Sequence, residues 1–177
     1  MPFTLFWTIV LTFPIISELA VQGTRKFLEQ NSNASADEIV EVVTNQQMAS
    51  ALKAHDKVRI LANAAITAQF FKNKEIAKYA PAFANIVKDN KIVERHLIAA
   101  IEDICKDKPK NFPVMIKQLY DEDVLDEDTI LEWADAGRSE YTLDSVDEES
   151  RAILRGEAEP VVVWLQEAES DEEDDDE

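Results

Sequence analysis

From Lys91 to Cys105 the apolar residues return in pairs four positions apart: Ile92 and Val93, His96 and Leu97, Ala100 and Ile101, Ile104 and Cys105. An α-helix brings residues spaced in this way onto one face, and a stripe this wide must be buried. Similar spacing recurs along the chain. Ala20, Phe27 and Leu28 fit a first short helix ending at the polar run Asn31-Ser32-Asn33. Ser35-x-x-Glu38 is a capping box, followed by Ile39, Val42, Val43 and Met48 in a stripe running toward Leu52. Asp56 is expected to cap a helix that turns Val58, Leu61, Ala62, Ala65 and Ile66 inward.

A helix over about 74–89 uses Ile76, Tyr79, Phe83, Ile86 and Val87, with Pro81 expected to kink or split it. Pro113 suits the first turn of a helix carrying Met115, Ile116 and Leu119. Asp126 is the expected cap of a short helix through Ile130 and Trp133. Ser145-x-x-Glu148 reads as a second capping box, before Ile153 and Leu154, and Pro160 starts or kinks the last segment. Val161-Val162-Val163 has strand character, but its setting is helical on both sides. No alternating strand pattern occurs. Only three glycines are present, which disfavours folds built from many tight hairpins.

The expected class is therefore all-α. Helices of this length joined by short loops, with pairs recurring at roughly 35–45 residues, permit a HEAT-like stack of antiparallel helix pairs. The internal sequence repeat is weak, so periodicity alone establishes a bundle.

Charge divides the chain sharply. The net is −18 over 177 residues, yet residues 1–110 hold 12 acids and 14 bases. Residues 111–177 hold 24 acids and 4 bases. Nine acids lie between Gln166 and Glu177, a self-repelling run expected to form a disordered acidic C-terminal tail. Composition does not separate a solubility tail from a surface that steers a basic partner. It does argue against nucleic acid as the main partner, because phosphate contacts need clustered Lys and Arg.

Residues 1–17 carry no charged side chain. Their apolar run is shorter than the roughly 20 residues of a membrane span. It has no basic n-region and no clear cleavage site, and the sequon Asn33-Ala34-Ser35 also reads as a helix start. The division expected is an apolar leader at 1–17, a helical domain at 18–169 and an acidic tail at 170–177. The leader reads as a segment packed on the domain or as a non-native start, which would explain its abrupt end at Ser17-Glu18, with a secretory signal the minority reading.

Catalytic signals are missing from the sequence. One Cys excludes a disulfide framework and a cysteine zinc cluster, and His55 and His96 leave little for a metal. Neither a glycine-rich phosphate loop nor a nucleophile elbow is present. No cofactor or metal is expected. His96, on the apolar stripe, reads as a packed histidine, and Cys105 as a small core residue.

Two segments mix acids with large aromatics. The first runs from Tyr120 to Trp133 and contains Asp121, Glu122, Asp123, Asp126, Glu127, Asp128 and Glu132. The second runs from Glu159 through Trp164 to Glu169 and on into the acid tail, and contains Glu167 and Glu169, with Asp171, Glu172 and Glu173 following. An aromatic offers a desolvated anchor, and carboxylates around it steer a Lys-rich segment and pair with its ammonium groups. The competing reading is structural. Ile130, Trp133 and Ala134 share a helical face, as do Val161, Trp164, Leu165 and Ala168, and aromatics so spaced are more often core.

These boxes resemble the carboxy-terminal two-tryptophan domain of eukaryotic translation initiation factor 5. The resemblance rests on Leu119-Tyr120-Asp121-x-Asp123-Val124-Leu125, Glu127-x-x-Ile130-Leu131-x-Trp133 and Pro160-x-x-x-Trp164-Leu165 before the acid run. Ala49-Ser50-x-Leu52 and Arg95-His96-Leu97 also fit it, so it covers about residues 18–177. It implies a HEAT-like fold and a cytoplasmic, noncatalytic module that assembles initiation complexes. The implied partners are lysine-rich segments of the initiation factor 2 beta subunit, with initiation factors 1 and 3 and the 4G scaffold beside them. No membrane contact is implied.

Lys72, Lys74, Lys78, Lys88 and Lys91 are candidates for a second contact surface, or else ordinary solvated helix faces. The GTPase-activating domain and zinc finger of the full-length factor have no counterpart, and its activating arginine has no matching position. No GTPase activation is expected of this chain. Two other functions stand beside the binding module: nucleotide exchange, as in the related domain of the 2B epsilon subunit, and a general acidic chaperone for basic proteins.

Overall fold

The computed structural model describes the backbone of residues 3–173 and the side chains of residues 17–168. Nine helices occur among these residues: α1 (Phe3–Gln30), α2 (Ala36–Ala49), α3 (Asp56–Ala65), α4 (Glu75–Val87), α5 (Lys91–Cys105), α6 (Asn111–Asp121), α7 (Glu127–Ala136), α8 (Glu148–Glu157) and α9 (Glu159–Glu173). No strand is found among the described residues, and Val161–Val163 lies within α9.

Helix starts follow side-chain chemistry where an acceptor sits at the first orphan amides. At α2 the Ser35 hydroxyl accepts from the Glu38 amide, and the Glu38 carboxylate accepts from the Ser35 amide at 2.8 Å. That backbone bond holds the Glu38 carboxyl below its ordinary range. Asn90 caps α5 by accepting from the Ile92 and Val93 amides.

Three expected caps are corrected. Asp56 is the first residue of α3, and its carboxylate accepts from the Lys53 amide at 2.8 Å, closing the preceding turn. Asp126 occupies the cap position of α7, but its side chain bonds none of that helix's amides. Ser145 does not open α8. Its hydroxyl donates to Asp103 at 2.5 Å, while Asp147 caps the helix by accepting from the Ser150 amide. Pro81 does not split α4. The carbonyl four residues before it belongs to exposed Ala77, where water can replace the lost amide.

The helices stack in two layers. α1 packs on α3, α3 on α5, α5 on α7 and α7 on α9, while α2 packs on α4, α4 on α6 and α6 on α8. This alternation is the HEAT-like arrangement of paired helices. α5 is the hub, touching α3, α4, α6, α7 and α8. Its middle turns are therefore buried nearly all round, including Ile98, Ala99 and Glu102, and Glu94 of its first turn is buried as well, so two carboxylates outside the expected stripe are sealed. Met48 and Ile92 are exposed, because each lies in a terminal turn that the facing layer does not cover. Ile153 is exposed on α8, whose buried residues are Arg151 and Leu154.

The boundary expected at residue 17 falls inside α1, and the side chains of 1–16 lie outside the described residues. At the other end α9 continues to Glu173, so the first part of the expected disordered tail is helical. Extending a formed helix adds one hydrogen bond per residue fixed, which helps carry it into the acid run. Residues 174–177 lie outside the described residues. Among the described residues no helix is long and apolar enough to cross a membrane.

Cys105 is buried, and burial pushes its thiol up to about 12. The His55 and His96 rings stack at 3.7 Å with planes 4° apart, and Tyr141 meets His96 edge-on at 5.0 Å. Burial first, then the neighbouring His55 and Lys53, lower His96 to about 4, with Asp56 opposing. An imidazole with a lowered folded pKa is protonated first in the unfolded chain. Its stabilisation is complete above about pH 6.5 and lost as pH falls through about 4. The melting temperature should therefore decline between pH 6.5 and 4 in the native chain, and the decline should be shallower in His96→Gln. Parallel profiles of the two proteins would contradict the assignment.

Candidate functional site

The first box begins where α6 ends. Leu119 is buried at its last turn, and the chain reverses through Asp123, whose φ is +56°. The Asp123 amide donates to the Tyr120 carbonyl at 3.0 Å, and the Val124 amide to the Leu119 carbonyl at 2.9 Å. Val124 and Leu125 then enter the core. Two apolar residues are thereby pulled inward, and Asp121, Glu122 and Asp123 are left in solvent. The Asp126 amide donates to the buried Glu94 carboxylate of α5 at 2.8 Å, which fixes the start of α7.

On α7, Thr129, Ile130, Trp133 and Ala134 face inward, and Asp128 and Glu132 face outward. These two acids meet Lys91 of α5, whose ammonium lies 3.0 Å from Asp128 and 3.6 Å from Glu132. The hydrogen bond to Asp128 raises the Lys91 ammonium above its ordinary range. Glu127, also in the first turn of α7, is half-buried.

The two tryptophans divide. Trp133 is only 3% exposed. Its indole N–H donates to Glu102 at 2.9 Å, and Phe112 packs against its ring at 5.0 Å. Arg151 reaches in from α8 with its guanidinium 4.2 Å from the indole centroid. The Arg151 Nη2 donates to the Trp133 carbonyl at 2.7 Å, and its Nε lies 2.7 Å from the Glu102 carboxylate. Burial raises the Glu102 carboxyl above its ordinary range, against the opposing pull of Trp133 and Arg151.

Trp164, in contrast, is 42% exposed. Val162 and Leu165 are the buried residues beside it on α9, so the indole projects outward. Tyr120 meets it edge-on at 5.7 Å, joining the start of the first box to the start of the second. Lys117 of α6 lays its ammonium 4.7 Å from the Trp164 centroid while donating to both Asp121 carboxylate oxygens at 2.8 Å. An ammonium is thus held between an indole face and a carboxylate. Glu167 lies on exposed α9 surface, and α9 also carries Glu169, Asp171, Glu172 and Glu173, whose side chains are outside the described ones.

The five lysines of the proposed second surface are exposed but dispersed. Lys74 and Lys88 flank the two ends of α4, about 20 Å apart along a 13-residue helix. Lys78 lies over the ring of its neighbour Tyr79, Lys72 is in the turn before α4, and Lys91 is paired to the first box. Sequence reasoning missed Lys117, Glu94, Glu102 and Arg151. The signal for Lys117 was its four-residue spacing to Asp121 on one helix face. Among the described residues no group of three or more His, Cys, Asp or Glu is arranged to hold a metal ion.

Residues 93–175, from the first turn of α5 into the acid run, match the family model W2: eIF4-gamma/eIF5/eIF2-epsilon. The chain carries a W2 domain. The first acid-aromatic box lies inside this W2 segment, which also takes in Trp164 and the acid run as far as residue 175.

Among its relatives, eukaryotic translation initiation factor 5 of Caenorhabditis elegans is 30% identical over 124 residues, covering 67% of this chain and 28% of that protein. The Zea mays protein of the same name is 39% identical over 108 residues, covering 59% of this chain and 22% of that one. The matched segments thus span about a quarter of the length of these curated relatives. A solved structure of the C-terminal domain of translation initiation factor 5 at low pH superposes with a TM-score of 0.66 at 20% identity. It covers 89% of this chain and 97% of that one, so the likeness in fold includes the helices before the W2 segment.

The buried pair makes a stability prediction. Arg151→Met leaves the Glu102 carboxylate without its ion partner and should cost about 3–5 kcal/mol in urea unfolding. The double variant Glu102→Gln/Arg151→Met should recover a large part of that loss. Additive losses from the two single substitutions would show that the pair is not coupled.

Proposed function

We propose that this chain is a noncatalytic protein-binding module of translation initiation, whose acid-aromatic boxes hold lysine-rich segments of a partner. The partner we assign is the lysine-rich part of the initiation factor 2 beta subunit, with initiation factors 1 and 3 and the 4G scaffold as further contacts. The W2 match and the names of the relatives support the process. The single observation that carries the chemistry is the capture of the Lys117 ammonium between Trp164 and Asp121. A partner lysine would use the same two groups, with Tyr120 bracing the indole.

Around this point the exposed acids Asp121, Glu122, Asp123, Asp126, Asp128 and Glu132 would supply a field that gathers further lysines. Lys117 and Lys91 would compete with the partner for the carboxylates they now hold. Each such exposed pair is weak, so displacement costs little. Trp133 is assigned a structural role and Trp164 a contact role, because one is sealed in the core and the other is open.

Binding of a beta-subunit lysine-rich peptide should weaken steeply with salt, as the screening length falls from about 8 Å at 0.15 M to about 3 Å at 1 M. Trp164→Ala should lose about tenfold in affinity with little change in melting temperature, whereas Trp133→Ala should unfold the domain. Fluorescence anisotropy and thermal melting read these outcomes. Affinity that survives deletion of 166–177 together with charge reversal at Asp121, Asp123, Glu127 and Asp128 sinks the site. Equal binding of a scrambled peptide of the same charge would instead point to a general acidic chaperone.

A further inference from the structure

Next to the acids of the first box the helical stack leaves a cleft of about 280 Å³. Phe71 and Lys74 line it from the turn before α4, Ala77 from α4 itself, and Gln118, Asp121 and Glu122 from the end of α6. Phe71 is 68% exposed, although Phe70 beside it is buried and meets it edge-on at 6.3 Å.

The turn that presents Phe71 is braced. The buried Glu75 carboxylate accepts from the Thr67 amide at 2.7 Å and the Thr67 hydroxyl at 2.8 Å, and Asn73 donates to it at 3.3 Å. The Glu75 amide donates to the Phe70 carbonyl at 2.9 Å. Phe71 is thus held at the mouth of an open cleft by a turn whose polar groups are satisfied. A single exposed apolar residue is ordinary on a protein surface. This one is set apart by the cleft beside it and by Asp121, which lines that cleft and also holds Lys117 against Trp164.

We propose that the Phe71 cleft takes one large apolar side chain carried within the lysine-rich partner segment, an inference that rests on the function proposed above. Charge complementarity sets the occupant. Asp121 and Glu122 form one rim and Lys74 the other, so an apolar anchor in the cleft has its lysines on the α6 side. Past that rim the segment runs over Asp121 toward Trp164, and the cleft and the aromatic site read one continuous stretch. The cleft supplies what the acids alone lack, discrimination between a lysine run with an apolar anchor and a plain polycation.

The test compares two peptides of equal charge, one with a single Phe beside a lysine run and one with Ser in its place. Each is titrated by fluorescence anisotropy against the whole chain and the variants Phe71→Ser and Ala77→Leu. Both substitutions lie on exposed positions, and thermal melting confirms that each variant is folded. The wild-type chain should prefer the Phe peptide by about fivefold or more, and both variants should abolish that preference while leaving the Ser peptide unchanged. If both peptides bind the wild type equally, or the preference survives in both folded variants, the cleft is overturned and the acid-face reading stands. If neither peptide binds the wild type, the acid-face reading falls and the cleft falls with it.

Discussion

Arg151 enters the interior from α8 and places its charge against the Glu102 carboxylate of α5, with Trp133 of α7 packed beside both. Their side chains are 4% and 2% exposed, so neither charge has water to fall back on. Taking two such ions out of solvent is expensive, and their attraction offsets it only when the remaining donors and acceptors are used. Here the carboxylate accepts from the Trp133 indole and the guanidinium donates through Nη2 to the Trp133 carbonyl, while the buried Arg151 Nε meets Glu102 at 2.7 Å as an ion pair without an aligned hydrogen bond. Three helices must therefore arrive in one register. An apolar contact could slide, but this one leaves a buried charge unpaired if any helix shifts.

That constraint shapes the surface as well as the core. With Trp133 fixed inward, Asp128 and Glu132 on the same helix must point out, where Lys91 meets them. The Glu94 bond to the Asp126 amide fixes the other end of the acidic turn. The acid face is thus displayed by an interior polar frame rather than by a loose loop. Trp164 lies outside this frame. Its helix is anchored by Val162 and Leu165, which frees the indole to lie over Tyr120 and Lys117.

Much of the helical content was legible. The paired spacing in α5 apart from exposed Ile92, the Ser35–Glu38 box and the apolar positions of α3, α4 and α6 appear in the structure as expected. Local signals failed where one residue type serves two purposes. Asp56 and Ser145 carry good capping groups, yet one closes the preceding turn and the other bonds Asp103. The buried carboxylates were not legible at all, because a Glu destined for the interior looks like any other until its partner is placed. The tryptophans were equally ambiguous, since the same spacing served Trp133 in the core and Trp164 at the surface.

By itself the sequence determined an all-α chain, the concentration of negative charge after residue 110, and the pairing of aromatics with acids in two segments. These are local or additive properties, set by helix periodicity and by counting charges. Tertiary structure decided which helix faces meet, which carboxylates are sealed and which tryptophan remains open. It also brought Tyr120 to Trp164 and set Phe71 beside Asp121. Those outcomes depend on contacts between residues far apart in the chain, and burial belongs to the packed assembly of helices rather than to any one segment of it.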